Sequence, residues 1–229
     1  MSAKLVPARP SRRWGPGTAA IARLLIATRE PLTQVAIAEA VGVTQPRASQ
    51  VLKQLDEHAT IRSSPRGYVA TKRARLLELY LERSQPVLTR PEEPWYGTAE
   101  LFVQVRAALD LARATAQLVA VSADVGPDLL VPWRHPTIAI IYTQRTLELG
   151  RAHLVRAEGR ADASILVRTT KDASLLQAFS PWPAAVEDIP LTDPVQQWRD
   201  LLDLGGDDRR EAADRLRHAI LDHSIRSAT

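Results

Sequence analysis

Apolar positions change their period several times along the chain. From Gly17-Thr18 onward, Ile21, Leu24, Leu25 and Thr28 fall at helical spacing, and Pro31 stops the run. A short helix follows from Thr33 to Val41, capped by Thr33 and ended by Gly42, with Val43 plugging the turn. Thr44 is placed to cap a third helix. Pro46 sits in its first turn, where a missing N–H costs nothing, and Ala48, Val51, Leu52 and Leu55 repeat on one face to about Glu57. From Thr60 the pattern reads strand, turn, strand: Ile61-Arg62-Ser63, then Ser64-Pro65-Arg66-Gly67, then Tyr68-Val69-Ala70. Pro65 presets the turn and Gly67 permits positive φ, which predicts a β-hairpin. Lys72 to Arg83 resumes helical spacing through Leu76, Leu77, Leu79, Tyr80 and Leu81.

Pro86, Pro91 and Pro94 then break any period, so residues 84–97 are expected to be an interdomain linker. Beyond it a helix is expected over 98 to about 116. The runs Leu118–Val121, Ile138–Tyr142 and Ile165–Val167 read as strands. A helix is expected near Asp172 to Phe179, and two more close the chain. Asp193-Pro194 caps the first of these, Gly205-Gly206 ends it, and Asp207 to about Asp222 forms the last. The fold class is α+β: a basic arm (1–16), a helical and hairpin domain (17–83), the linker (84–97) and a mixed α/β domain (98–229).

Charge sharpens that division. Residues 1–90 hold 15 Lys/Arg against 6 Asp/Glu, and residues 91–229 hold 15 against 20, so a net charge of +4 hides +9 in front and −5 behind. Clustered cations of this kind suit phosphate contacts, which places any polyanion-binding role in the front half. The chain has no cysteine, which excludes disulfides, thiolate metal sites and a thiol nucleophile. No apolar run reaches the ~18 residues of a membrane span, and the first fifteen residues lack the apolar stretch of a secretory signal, so a cytoplasmic protein without membrane association is expected.

Gln34 to Leu55 carries the most chemistry. A helix-turn-helix needs a small residue where its helices cross, a sharp turn and an apolar lock; Ala38, Gly42 and the set Ile37, Val41, Val43, Ala48 and Val51 meet these needs. The outward face of the second helix then presents Gln45, Arg47, Ser49, Gln50 and Lys53, with Thr44 placed for a phosphate. Arg can read guanine and Gln adenine in a major groove. Arg62, Ser64 and Arg66 on the hairpin, and Arg9, Arg12 and Arg13 on the arm, would add backbone or minor-groove contacts. The order of three helices, hairpin and helix, with VGVTQPRASQVLKQL at the second helix of the motif, resembles the winged helix-turn-helix regulators of bacteria over about residues 17–83. The alternative for such a module is protein binding with a solvated arginine face.

The closing stretch from Ile189 to Gly206, with Asp193-Pro194-Val195-Gln196 and then Arg210-Glu211-Ala212-Ala213, resembles the C-terminal region of the AbiEi-family antitoxins of type IV toxin–antitoxin systems. That resemblance implies an autorepressing DNA-binding antitoxin encoded beside a nucleotidyltransferase-like toxin, with direct contact between the two not required. Two alternatives stay open: a regulator whose C-terminal domain senses a metabolite, and an antitoxin that sequesters its toxin. A homodimer and monomers on repeated sites are both compatible with the sequence.

Enzyme readings find little support. His58, His135, His153, His218 and His223 show no metal spacing, and no cofactor is expected. Gly15-Pro16-Gly17-Thr18-Ala19-Ala20 matches a dinucleotide fingerprint only formally, since no strand precedes it. The segment Val131 to Pro136 has two readings. The favoured one is a loop anchored in the core by Trp133; the other gives Arg134 and His135 a second phosphate or acidic partner.

Overall fold

Eight α-helices and nine strands follow one another in the computed structural model, which describes residues 13–133 and 135–225. The front half holds α1 (Pro16–Ala27), α2 (Gln34–Val41), α3 (Gln45–Asp56), the antiparallel pair β1 (Ile61–Ser64) and β2 (Gly67–Ala70), and α4 (Arg73–Arg83). Then come β3 (Glu93–Tyr96), α5 (Leu101–Ala114), β4 (Val119–Ala123), α6 (Val125–Leu130), β5 (Ala139–Thr143), β6 (Val155–Arg156) and β7 (Ile165–Thr169). The chain closes with β8 (Ala185–Val186), β9 (Ile189–Pro190), α7 (Pro194–Leu204) and α8 (Asp207–Asp222). The architecture is mixed α+β.

The main sheet has the order β4-β5-β7-β3-β6, with β5 and β7 parallel and the other neighbours antiparallel. Strands β4, β5 and β7 are buried at every position, as expected for a sheet covered on both faces. On one face Val121, Ile141 and Val167 pack with Val105 and Leu109 of α5. On the other, Ile140, Tyr142 and Leu166 form a smaller cluster, and α7 lies against β4.

Three expectations change. The segment 84–97 is not a spacer: β3 lies between β7 and β6 in the main sheet, and Leu88 bridges Thr170. Pro94 is tolerated there because its carbonyl, which proline keeps, accepts the Ala157 N–H at 3.1 Å. The helix expected near Asp172 to Phe179 shrinks to a 3₁₀ turn at Ala173–Leu175. Leu175 joins the small cluster under the sheet while Phe179 enters the core around α1, and residues four apart on one helix would share a face. Trp133 is no anchor: it is 44% exposed, with the Arg215 guanidinium 3.5 Å from its ring centroid, so a stacked cation covers the ring in place of a core.

The front and back halves also share a core. Ile21, Leu25 and Ile26 of α1, Val51 and Leu55 of α3 and Leu76 and Leu77 of α4 belong to one apolar cluster with Phe179, Trp182, Val195, Trp198, Leu216 and Ile220. Every residue of α1 from Thr18 to Ala27 is buried, as befits a helix packed on all sides. Arg23 lies in that interior. It donates to Asp193 Oδ2 at 2.7 Å and to Ser174 Oγ at 2.6 Å, joining α1 to the start of α7. Among the described residues, no helix is long and apolar enough to cross a membrane.

Candidate nucleic-acid interface

Helix α2 begins at Thr33, whose Oγ1 accepts the Ala36 N–H at 3.2 Å. It ends at Gly42 in the left-handed region (φ 73), after which the Val43 N–H bonds the Ala38 carbonyl at 3.0 Å. This closure turns the chain sharply into α3. Thr44 holds the N-cap position of α3, and its hydroxyl makes no capping bond. Ala48, Val51, Leu52 and Leu55 are buried, while Gln45, Arg47, Ser49, Gln50 and Lys53 are all exposed. The helix is thus divided cleanly into an apolar back and a polar front.

Arg47 is held in place. Its Nη2 donates to Thr18 Oγ1 at 3.3 Å, and its Nη1 reaches Gln50 Oε1 at 3.5 Å. The two side chains expected to read bases therefore sit side by side. Lys53 lies further along the same exposed front.

The hairpin is locked to the entrance of α2. Leu32 and Tyr68 exchange two backbone bonds, at 2.9 and 2.8 Å, so Leu32 extends the β1–β2 pair by one bridge. Gly67 (φ 123) makes this approach possible, because a Cβ there would stand 2.2 Å from the Leu32 carbonyl oxygen. Ser64 serves the turn: its Oγ donates to the Gly67 carbonyl at 3.0 Å and accepts the Arg66 N–H at 3.3 Å. Arg62 and Arg66 are exposed. Among the described residues Arg47, Lys53, Arg62 and Arg66 make no ion pair, whereas Arg106, Arg113, Arg156, Arg160, Arg168, Arg209, Arg210 and Arg215 in the back half all do.

The remaining sequence candidates are scattered. Arg13 is exposed just before the buried Trp14; Arg9, Arg12 and Arg134 lie outside the described residues. His135 is exposed and belongs to the surroundings of α6, where burial raises the Asp128 carboxyl above its ordinary range and His135 opposes that rise. Sequence reasoning missed Lys171. A cleft of about 350 Å³ has Gly42 and Val43 of the α2–α3 turn among its walls on one side and Lys171 on the other, so a back-half cation borders the motif. Nothing local marks that lysine, which is brought there by the fold.

A second polar centre lies under the sheet. Asp200 of α7, fully buried, accepts from Ser122 Oγ (2.6 Å), Tyr142 Oη (2.9 Å), Gln196 Nε2 (2.9 Å) and Arg168 Nη1 (2.8 Å). Tyr80 of α4 joins by donating to Gln196 Oε1 at 2.5 Å. Burial raises the Asp200 carboxyl, with Arg168 as the main opposing influence. Burial works against the Arg168 charge, but Tyr142, Asp200 and Glu92 more than restore it. No group of three or more metal-ligating side chains exists among the described residues.

No protein-family model matches this chain, and neither a curated protein sequence nor a solved structure does.

Proposed function

We propose that the chain is a sequence-specific DNA-binding regulator whose front half is a winged helix-turn-helix, with α3 as the recognition helix and the β1–β2 hairpin as the wing. The observation that carries this reading is the polar front of α3, where Gln45, Arg47, Ser49, Gln50 and Lys53 are all exposed, neither Arg47 nor Lys53 makes an ion pair among the described residues, and Arg47 bonds Thr18. A helix of twelve residues with such a face fits a major groove. Arg62, Arg66 and Lys171 add cations beside it, for phosphates. In this reading the protein is cytoplasmic and is not an enzyme.

The test is a gel-shift titration on DNA from upstream of the protein's own gene, after footprinting has located the site. Arg47→Ala and Gln50→Ala should weaken binding by about 1 to 3 kcal/mol, roughly fivefold to 150-fold, and relax preference at one base position each. Arg66→Ala should weaken all sequences about equally and flatten the salt dependence by about one charge. Binding curves that do not move for Arg47→Ala and Gln50→Ala would sink the assignment of α3.

The finer proposal, an autorepressing antitoxin of the AbiEi type, rests on the resemblance of Ile189 to Gly206 and of the Glu211-Ala212-Ala213 stretch. Co-expression with a nucleotidyltransferase-like toxin encoded beside it is the test. Growth arrest that the chain does not relieve overturns that part and leaves the DNA reading standing.

A further inference from the structure

We propose that the cavity between α7 and the segment joining α4 to β3 is a binding site for a small zwitterion of the α-amino acid class, with Arg199 taking the carboxylate and Asp203 the ammonium. The site goes beyond the DNA-binding reading and does not depend on it. Its volume is about 240 Å³, and its walls include Pro86, Leu88, Arg160, Arg168, Arg199 and Asp203. At ~30 Å³ per water that space equals roughly eight waters, which suits a ligand of about as many non-hydrogen atoms.

The charges on the walls are unequally satisfied. Arg168 is answered on all sides, by Glu92 (2.6 Å), Asp200 (2.8 Å) and Asp203 (2.7 Å). Arg160 is answered by Glu92 at 2.5 Å and, more loosely, by Asp203 at 3.4 Å. Arg199 is different: it is only 9% exposed, donates from Nη1 to the Leu81 carbonyl at 2.9 Å, and makes no ion pair among the described residues. Its other guanidinium donors have no protein acceptor among the described residues and are not sealed from solvent, so they open onto the cleft, where their fork matches a carboxylate.

Asp203 supplies the opposite charge. Its Oδ2 receives Arg168 and Arg160, while Oδ1 accepts no bond among the described residues, and its side chain is 45% exposed. Arg199 and Asp203 stand four residues apart on α7, hence on one face, yet do not close on each other as an ion pair. A simple anion placed between them would meet Asp203 and Asp200; a simple cation would meet three arginines. A molecule carrying both charges on adjacent atoms satisfies both, and Pro86 and Leu88 leave an apolar wall for its side chain.

Thermal melting of the full chain with each proteinogenic amino acid tests this, with acetate, methylammonium and inorganic phosphate as probes of single charges. At about a hundred times its Kd, a binding amino acid should raise the melting midpoint saturably by roughly 5 to 10 °C, and the single-charge probes should not. Arg199→Leu should abolish the shift, Asp203→Asn should weaken binding about tenfold, and Arg113→Ala, in a different pocket, should leave it unchanged. Calorimetric titration of the wild-type chain gives a readout that no variant's folding can confuse. The N-acetyl and the methyl-ester forms of the best amino acid should each bind at least about tenfold more weakly. Absence of a shift with every amino acid, a shift retained in folded Arg199→Leu, equal binding of either blocked form, or a match by acetate or phosphate overturns the proposal.

Discussion

Replacing Arg23 with methionine isolates the bond that ties the front helices to the back of the molecule. Arg23 and Asp193 are both fully buried, and their 2.7 Å contact joins α1 to the N-cap of α7. Breaking a buried pair by removing one partner costs about 3 to 5 kcal/mol, chiefly because the other charge is left in a medium that solvates it poorly. Asp193 would keep the N–H groups of Val195 (3.0 Å) and Gln196 (3.1 Å), which favours the lower end, about 3 kcal/mol. Methionine fills much of the same space beside Phe179 and removes a burden, since Arg23 Nε is buried with no acceptor among the described residues. The double variant Arg23→Met with Asp193→Ser removes both charges and keeps an N-cap oxygen, so it should recover to within about 1 kcal/mol of the parent. Urea unfolding followed by far-ultraviolet circular dichroism and tryptophan fluorescence measures both. For a urea slope near 3 kcal/mol per molar, the single variant lowers the midpoint by about 1 M. A loss under about 1 kcal/mol, or a double variant no better than the single one, would refute the reasoning.

Alkaline pH should unfold the chain through its buried phenols. Burial pushes Tyr80 up to about 12, and Tyr142 is raised as well. Because the folded value lies above the ordinary 10, the stability is present at neutral pH and is lost as pH rises from about 10 through about 12; Tyr80 alone accounts for roughly 2 to 3 kcal/mol. Urea midpoints against pH, with tyrosinate absorbance as the second probe, should show it, and a flat profile across that window counts against it. Gly42→Ala and Gly67→Ala should differ sharply by thermal melting. Gly42 has open space around it and costs only its left-handed strain, about 1 kcal/mol, whereas Gly67→Ala also drives a Cβ into the Leu32 carbonyl and should cost about 3 kcal/mol or more; equal losses would refute the account of the hairpin. Trp133→Ala should cost at most about 1 kcal/mol, and Trp198→Ala, 5% exposed in the shared core, about 3 to 5; equal or reversed losses in chemical denaturation would overturn the placement of Trp133.

The front half was legible because its signals are local. Thr33, Gly42, Thr44 and the spacing of Ala48, Val51, Leu52 and Leu55 each act within a turn or two of helix, and α2, α3 and the hairpin lie where those residues put them. Strand β3 was hidden by Pro91 and Pro94, which read as a linker until Ala157, far along the chain, supplies the N–H that Pro94 accepts. The polar centre was hidden for a related reason. Arg168 sits at the end of an apolar strand, and only the fold shows that Glu92, Asp200 and Asp203 meet it there. Trp133 misled because bulk suggests burial, while a single arginine on α8 was enough to cover the ring.

Net charge is a poor guide to where a protein would meet a polyanion, because at physiological salt the interaction of exposed charges more than about 8 Å apart is largely screened. What matters is the set of cations within that distance of the contact surface and whether each already has a partner. In the back half, arginines on α5, β6, β7 and α8 are held by carboxylates, several of them at 3.3 Å or less, so their charge is spent locally. On α3 and the hairpin, Arg47, Lys53, Arg62 and Arg66 have no such partners among the described residues. The contrast of +9 in front and −5 behind is therefore accompanied by a set of unpaired cations on α3 and the hairpin. Since α1 is packed into a core shared with α7 and α8, that set is held at a fixed angle to the back half rather than carried on a tether. On the proposed reading, a polyanion lying along α3 would have to accommodate the back half as well, and Lys171 borders the cleft beside the α2–α3 turn.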